Sequence, residues 1–178
     1  MRVSEERPSS KQHAHRRAAP ESIAIAVLTV SDTRTPETDS GGDLVALLLE
    51  EAGQRIAHRS IVPDEPEAIQ AATRQALGDP EVGAVVLTGG TGVAPRDVTP
   101  ESVAPLLERV VPGFGELFRW LSYQEIGSAA LLSRALAGIA HGKPVFVLPG
   151  SRGAVRLALT KLVVPEIGHL AAEAQKTR

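Results

Sequence analysis

Ala84-Val85-Val86-Leu87-Thr88-Gly89-Gly90-Thr91-Gly92 runs from an unbroken apolar stretch straight into three glycines and two hydroxyls. Apolar residues without polar alternation predict a strand buried on both faces, the habit of a parallel sheet. Upstream, Ile23 to Val30 is a second such run, ending in Ser31-Asp32-Thr33. Between the two, Leu44, Leu47 and Leu48 keep helical spacing before Gly53, and a further strand is predicted from Gln54 to Val62. Pro63-Asp64-Glu65-Pro66 then leads into a helix through Ile69, Ala72, Thr73 and Ala76, with Asp64 as its expected cap and Glu67 as capping-box partner. Downstream, Thr99-Pro100-Glu101 opens another helix, with Thr99 as the expected cap. Strand and helix alternate, so the fold class predicted is α/β with a mostly parallel sheet.

The last third is less regular. Phe114, Leu117, Phe118, Leu121 and Ile126 mark an amphipathic helix that holds nearly all the aromatic residues of the chain. Two strands, Leu131–Ile139 and Val145–Leu148, are expected to meet at a His141-Gly142-Lys143 turn. A closing helix through Val155, Leu157, Leu159 and Leu162 follows Pro149-Gly150-Ser151.

Composition limits the classes of function. The chain has 178 residues, 43% hydrophobic and 22% charged, which suits one soluble domain. No apolar run reaches the roughly 20 residues that span a bilayer, and residues 1–20 lack the apolar core of a signal peptide. The expectation is a cytoplasmic protein without a membrane partner. Cysteine is absent, which excludes disulfides and thiolate metal sites. Arg2, Arg7, Lys11, Arg16 and Arg17 outnumber Glu5 and Glu6, so a basic terminus hides within a net charge of −2. It has no aromatic interleaving and no regular pattern, and is expected to be a disordered tail over residues 1–20 rather than a nucleic-acid contact, leaving residues 21–178 as the single domain.

In open α/β sheets ligands bind beyond the carboxyl ends of the strands. Four loops meet that description: Ser31-Asp32-Thr33, Pro63-Asp64-Glu65, Thr88 to Asp97, and Pro149-Gly150-Ser151. Glycines after a buried strand let backbone amides approach an anion. The loop is no P-loop, since Gly-Lys-Ser/Thr does not follow, and its spacing is not that of a dinucleotide fingerprint. By itself it reads equally as a tight turn. Asp97 and Asp64 add carboxylates, and a carboxylate beside a phosphate loop repels phosphate unless Mg²⁺ lies between them. Each also has a structural reading: Asp64 as a helix cap, Asp97 as a turn residue paired with Arg96, and Asp32 as a loop former.

Val85 to Asp97, with Gly89-Gly90-Thr91-Gly92 and Pro95-Arg96-Asp97, resembles the defining motif of the molybdopterin-binding family, which includes the molybdenum cofactor proteins B and the molybdopterin adenylyltransferases. Further likeness lies in Leu28–Asp32, Val62–Glu65, Pro112–Glu116, Ser133–Ala135 and Leu148–Ser151, and it covers about Ile23 to Leu170. The resemblance implies a three-layer αβα fold, mostly parallel with a small antiparallel edge. It also implies Mg²⁺-dependent adenylylation of molybdopterin by ATP with release of pyrophosphate, or else pterin binding without turnover. Asp64 and Asp97 would match the family's essential carboxylates and handle Mg²⁺. Thr88, Gly89, Gly90, Thr91, Gly92 and Arg96 would serve the phosphates, and Ser31, Asp32, Ser133, Pro149, Gly150 and Ser151 the substrate. The implied partners are the chain itself, as a homotrimer or hexamer, and other enzymes of cofactor synthesis. The width of the apolar arc from Phe114 to Tyr123 points the same way, because it exceeds one buried stripe.

Overall fold

Ala24–Val30 forms β1, and every residue of it after Ala24 is buried, as an all-apolar run requires. The structure, a computed structural model, describes residues 22–176; the tail expected over residues 1–20 lies outside them. After β1 come α1 (Ser40–Glu51), β2 (Arg55–Val62), α2 (Pro66–Gly78), β3 (Ala84–Thr88), α3 (Thr99–Val103), β4 (Arg109–Val110), α4 (Pro112–Ile126), β5 (Leu136–Ala140), β6 (Lys143–Leu148), α5 (Arg152–Ala158) and α6 (Val164–Ala174). The sheet order is β2-β1-β3-β6-β5-β4. Its first four strands are parallel, and β5 and β4 form an antiparallel edge.

Alternate residues of the central strands feed two cores. Ile25, Val27, Val86, Phe146 and Leu148 face α1, α4, α5 and α6, where they meet Leu44, Leu49, Phe114, Phe118, Val155 and Ile167. Ala26, Leu28, Val85, Leu87 and Val147 face the other way, against Ile69, Ala76 and Leu77 of α2 and Val103 of α3. Full burial of one such aliphatic side chain contributes about 1.5–3 kcal/mol, so the double-sided sheet is the main source of stability. The architecture is three-layer αβα, as expected. Among the described residues no helix is long and apolar enough to cross a membrane.

Several local expectations are corrected. Thr99 does not cap α3: Val98 holds that position, and Thr99 is the first helical residue, fully buried. Asp64 does not cap α2 either; Glu65 stands at the cap without a side-chain bond. The strand expected from Leu131 begins only at Leu136, as β5; Leu131 and Leu132 instead close a 3-10 helix, Gly127–Leu132, that starts at Gly127 with φ 64. The β5–β6 turn is tighter than expected, His141 and Gly142 alone, both at positive φ as a two-residue hairpin demands. The closing helix is interrupted by a π-helical stretch, Leu159–Val163. Pro165 explains it, since proline has no N–H for the carbonyl four residues back and its ring crowds that carbonyl.

One buried carboxylate was not foreseen. Asp39 caps α1 through Oδ1, which accepts the Gly42 N–H at 2.9 Å, while Oδ2 accepts the Thr29 hydroxyl of β1 at 2.7 Å and faces Arg59 of β2 at 3.4 Å. It thereby fastens α1 to two strands. Asp39→Ala should cost about 2–4 kcal/mol in urea denaturation, adding a lost cap to a buried hydroxyl left without its acceptor. Asp39→Asn, which keeps an acceptor oxygen, should cost less. Equal stabilities for the alanine variant and the parent would show that this junction is not a structural tie.

Candidate functional site

The chain crosses from β2, on one side of β1, to β3 on the other, and this change of direction opens a crevice at the carboxyl ends of β1 and β3. All four loops singled out in the sequence follow the parallel strands and gather there. Ser31 N–H reaches the Val62 carbonyl at 2.9 Å, and Gly89 N–H reaches the Leu148 carbonyl at 3.1 Å. The Thr88 hydroxyl, completely buried, donates to the Pro149 carbonyl at 3.1 Å and so ties two of the loops together.

Gly89 and Gly90 have φ values of 105° and 60°. A side chain on Gly89 would overlap the Val30 carbonyl oxygen. One on Gly90 would overlap Thr99 Oγ1 and stand 3.0 Å from Asp64 Oδ1. The loop thus passes as bare backbone between strand ends and a carboxylate. Thr91 is buried behind it. At Gly92 a Cβ would lie 2.7 Å from Asp97 Oδ2, the oxygen that also accepts the Ala94 N–H at 2.9 Å. Asp97 is therefore held by its own turn, facing Gly92.

Asp32 and Asp64 bind each other reciprocally: each backbone N–H donates to the other's carboxylate, both at 3.1 Å. Arg96 pairs with Asp32, not with its neighbour Asp97. Burial raises the Asp64 pKa above the ordinary carboxylate range, and the negative charges of Asp32 and Asp97 add to the rise. The Asp32 N–H and the Arg96 charge oppose it. Asp64 thus senses both other acids, as a partly buried carboxylate with like charges nearby should.

Gly89–Gly92, Asp97, Ser133 and Pro149-Gly150-Ser151 line one cleft of about 310 Å³, whose opposite wall comes from Phe118, Ser122 and Ile126 of α4 with Leu132. Ser133 Oγ is buried with no partner among the described residues, and so is Thr99 Oγ1. Ser31 and Asp32 line a second, more open cleft of about 490 Å³ with Arg34, Pro36, Ile61 and Pro63. Ser31 and Ser151 also build their own loops: Ser31 Oγ accepts the Thr33 N–H at 3.2 Å, and Ser151 Oγ caps α5 on the Ala154 N–H at 3.4 Å. The cleft's helical wall was missed in the sequence, where the only sign of it is Ser122, a buried hydroxyl in an otherwise apolar arc. Arg134, whose guanidinium reaches the glycine loop, was missed too. Its signal was the Ser133–Ala135 stretch of likeness, from which a role was drawn for Ser133 alone.

Residues 26–169 match the model of a probable molybdopterin binding domain. Molybdenum cofactor biosynthesis protein B of Bacillus subtilis (strain 168) is 50% identical over 165 residues, covering 92% of this chain and 97% of the relative. A crystal structure of a molybdenum cofactor biosynthesis protein B superposes with a TM-score of 0.87 at 48% identity, over 89% of this chain and 99% of that one. The tungsten cofactor synthesizing protein MoaB from Pyrococcus furiosus superposes with a TM-score of 0.80 at 36% identity, over 89% of this chain and all of that one (100%). The chain belongs to the molybdopterin-binding domain family, in the branch of molybdenum cofactor biosynthesis protein B.

Proposed function

We propose that the protein adenylylates molybdopterin: an oxygen of the pterin's terminal phosphate attacks the α-phosphorus of ATP, the bond to the β-phosphate breaks, and pyrophosphate leaves. The observation that carries this reading is the meeting of Asp64 and the glycine loop at Gly90, with Asp97 against Gly92 in the same loop. Such a transfer needs positioning and charge neutralisation rather than a protein nucleophile, and the site supplies bare amide-rich backbone and carboxylates. Two carboxylates suit Mg²⁺, which takes few protein ligands and completes its shell with phosphate oxygens and water. Bound there, Mg²⁺ would neutralise the phosphate charge that Asp64 and Asp97 would otherwise repel. Thr91, Ser133 and the Pro149–Ser151 turn would hold the pterin in the 310 Å³ cleft, where the orphan Ser133 hydroxyl fits a polar ligand atom. The 490 Å³ cleft along Ser31–Pro36 would take the adenosine. Arg96, now on Asp32, is placed to turn toward a phosphate.

Pyrophosphate release from ATP, measured with and without molybdopterin, tests the reading. Release only with both substrates supports it, whereas pterin binding without release makes the protein a carrier. Asp64→Asn and Asp97→Asn should each lower the rate at least ~100-fold by removing charge at the point of transfer. The raised Asp64 pKa sets the sign of the pH dependence. The folded state holds that proton more tightly than the unfolded chain, so this group's stabilising contribution is present below the ordinary carboxylate pKa and is lost as pH rises through the folded value. Asp64→Asn should therefore melt no lower than the parent at neutral pH, and parental activity should fall as acid protonates Asp64. An Asp64→Asn protein that is active, or that unfolds early, would count against the role.

Gly92→Ala needs no unusual backbone angle, but its methyl would crowd Asp97 Oδ2. It should reduce transfer about as far as Asp97→Asn while leaving the melting temperature within a few degrees. Normal turnover in Gly92→Ala would show that the carboxylate's position is not critical.

We further propose a homotrimer or hexamer. Phe114 and Phe118 of α4 are buried and stacked at 6.4 Å, but Leu117, Trp120 (59% exposed) and Tyr123 on the same helix face outward. Together with exposed Leu131 and Leu132 they make an apolar surface of the kind that marks subunit contacts. Light scattering should return three or six times the 18.7 kDa chain mass, and Trp120→Glu should lower it. A parental mass of one chain at micromolar concentration would overturn the assembly.

A further inference from the structure

Arg134 lies between the 3-10 segment and β5, more than 35 residues beyond the glycine loop, yet four of its groups end on the loop or on the helix after it. Its backbone N–H donates to the Thr91 carbonyl at 3.3 Å, and Nε donates to the Gly92 carbonyl at 2.7 Å. Nη2 donates to the Asp97 carbonyl, and Nη1 pairs with Glu101 of α3. Between the two carbonyls gripped by the guanidinium, Val93, Ala94, Pro95 and Arg96 are all exposed and pack against nothing in the core. Their internal ties are the bonds between Ala94 and Asp97. Outside the turn, the largely exposed Arg96 side chain pairs with Asp32 of the neighbouring loop, and an exposed ion pair of that kind fixes a backbone only weakly. A guanidinium is a planar fork with donors at fixed spacing, so one holding both ends of the turn sets the separation of the two carbonyls and anchors them to the sheet.

We propose that Arg134 is a positioning residue for the transfer reaction: by holding the Gly92 and Asp97 carbonyls it places the Asp97 carboxylate relative to Asp64 at Gly90. The inference rests on the adenylyl-transfer reading. It also joins two parts of the site, since Ser133, whose unpartnered hydroxyl lines the 310 Å³ cleft, is the residue just before Arg134. The pterin wall and the phosphate loop then share one anchor. The Glu101 pair is secondary, because that carboxylate is largely exposed and holds the far side of the fork.

Arg134→Lys keeps the charge but replaces the fork by a single ammonium, which cannot span both carbonyls. Two readouts test the consequence. Hydrogen exchange of amides 92–98 should accelerate at least ~10-fold in the variant, with the central strands unchanged. In kinetics, kcat should fall about 100-fold, the magnitude typical of a misplacement of about 1 Å, while KM for molybdopterin stays within a few-fold and half-saturating Mg²⁺ rises. Guanidinium ion should restore part of the activity of Arg134→Ala. Glu101→Gln, which leaves both carbonyl bonds in place, should behave like the parent. Unchanged exchange over 92–98, an unaltered kcat, or a loss that merely follows a global drop in melting temperature would each overturn the proposal. If the parent itself releases no pyrophosphate, the transfer reading fails on its own. Exchange then still decides whether Arg134 holds the loop: faster exchange sustains its grip, and unchanged exchange removes it.

Discussion

Val30 ends β1, Gly89 follows the last residue of the neighbouring parallel β3, and there the backbone passes so close to the Val30 carbonyl that no side chain fits between them. Only glycine permits the approach, and it does so at a φ of 105° that other residues rarely adopt. The consequences reach through the site. Because β3 leaves the sheet here, Gly90 comes against Asp64 and Thr99, the Gly90 carbonyl receives the Thr99 N–H at 3.0 Å, and α3 starts where it does. The turn from Val93 to Asp97 then hangs between that helix and Arg134. Close packing of two strand ends thus determines where two carboxylates stand, although neither belongs to those strands.

Electrostatically the site is under tension. The charges of Asp32 and Asp97 both bear on Asp64, and Arg96 is the cation that opposes them there. Backbone donors offset part of the repulsion, as in the reciprocal Asp32–Asp64 bonds. The buried orphan hydroxyls of Thr99 and Ser133 add to the cost, and both border the glycine loop. Unsatisfied groups and gathered like charges weaken a fold that gains nothing from them. Their concentration on one edge, above a sheet whose two cores are mainly apolar, separates the part of the molecule that supplies stability from the candidate site.

Helix α4 serves both parts. Its inner side is core, with Phe114 edge-on to Phe146 of β6 at 5.5 Å. Farther along, Phe118, Ser122 and Ile126 become the wall of the cleft, while Trp120 and Tyr123 turn to the outside. One amphipathic helix therefore packs against the sheet, walls the candidate cleft and carries exposed apolar side chains. A change at that surface has a short path to the cleft wall.

Much of this was readable in the sequence because it depends on local chemistry. Unbroken apolar runs at Ile23–Val30 and Ala84–Leu87 define buried strands, glycines mark the loop, and the alternation with helices leaves a doubly covered parallel sheet as the consistent arrangement. That ligand loops lie at the carboxyl ends follows from the same topology. The sequence could not show which of two roles Asp64 takes, since capping and clustering ask for the same residue type; the answer came from Asp32, 32 positions away, whose N–H claims the carboxylate. For the same reason Arg96 reads as a partner of Asp97 but pairs with Asp32, and Thr99 reads as a cap but is driven inside by the approach of Gly90. Asp39 stands at the local cap position of α1 and Arg134 lies within the Ser133–Ala135 likeness, but neither signal showed what else the side chain holds. Beyond the local cap made by Asp39, their roles consist of bonds to groups distant in the chain, and such bonds exist only once the sheet has brought those groups together.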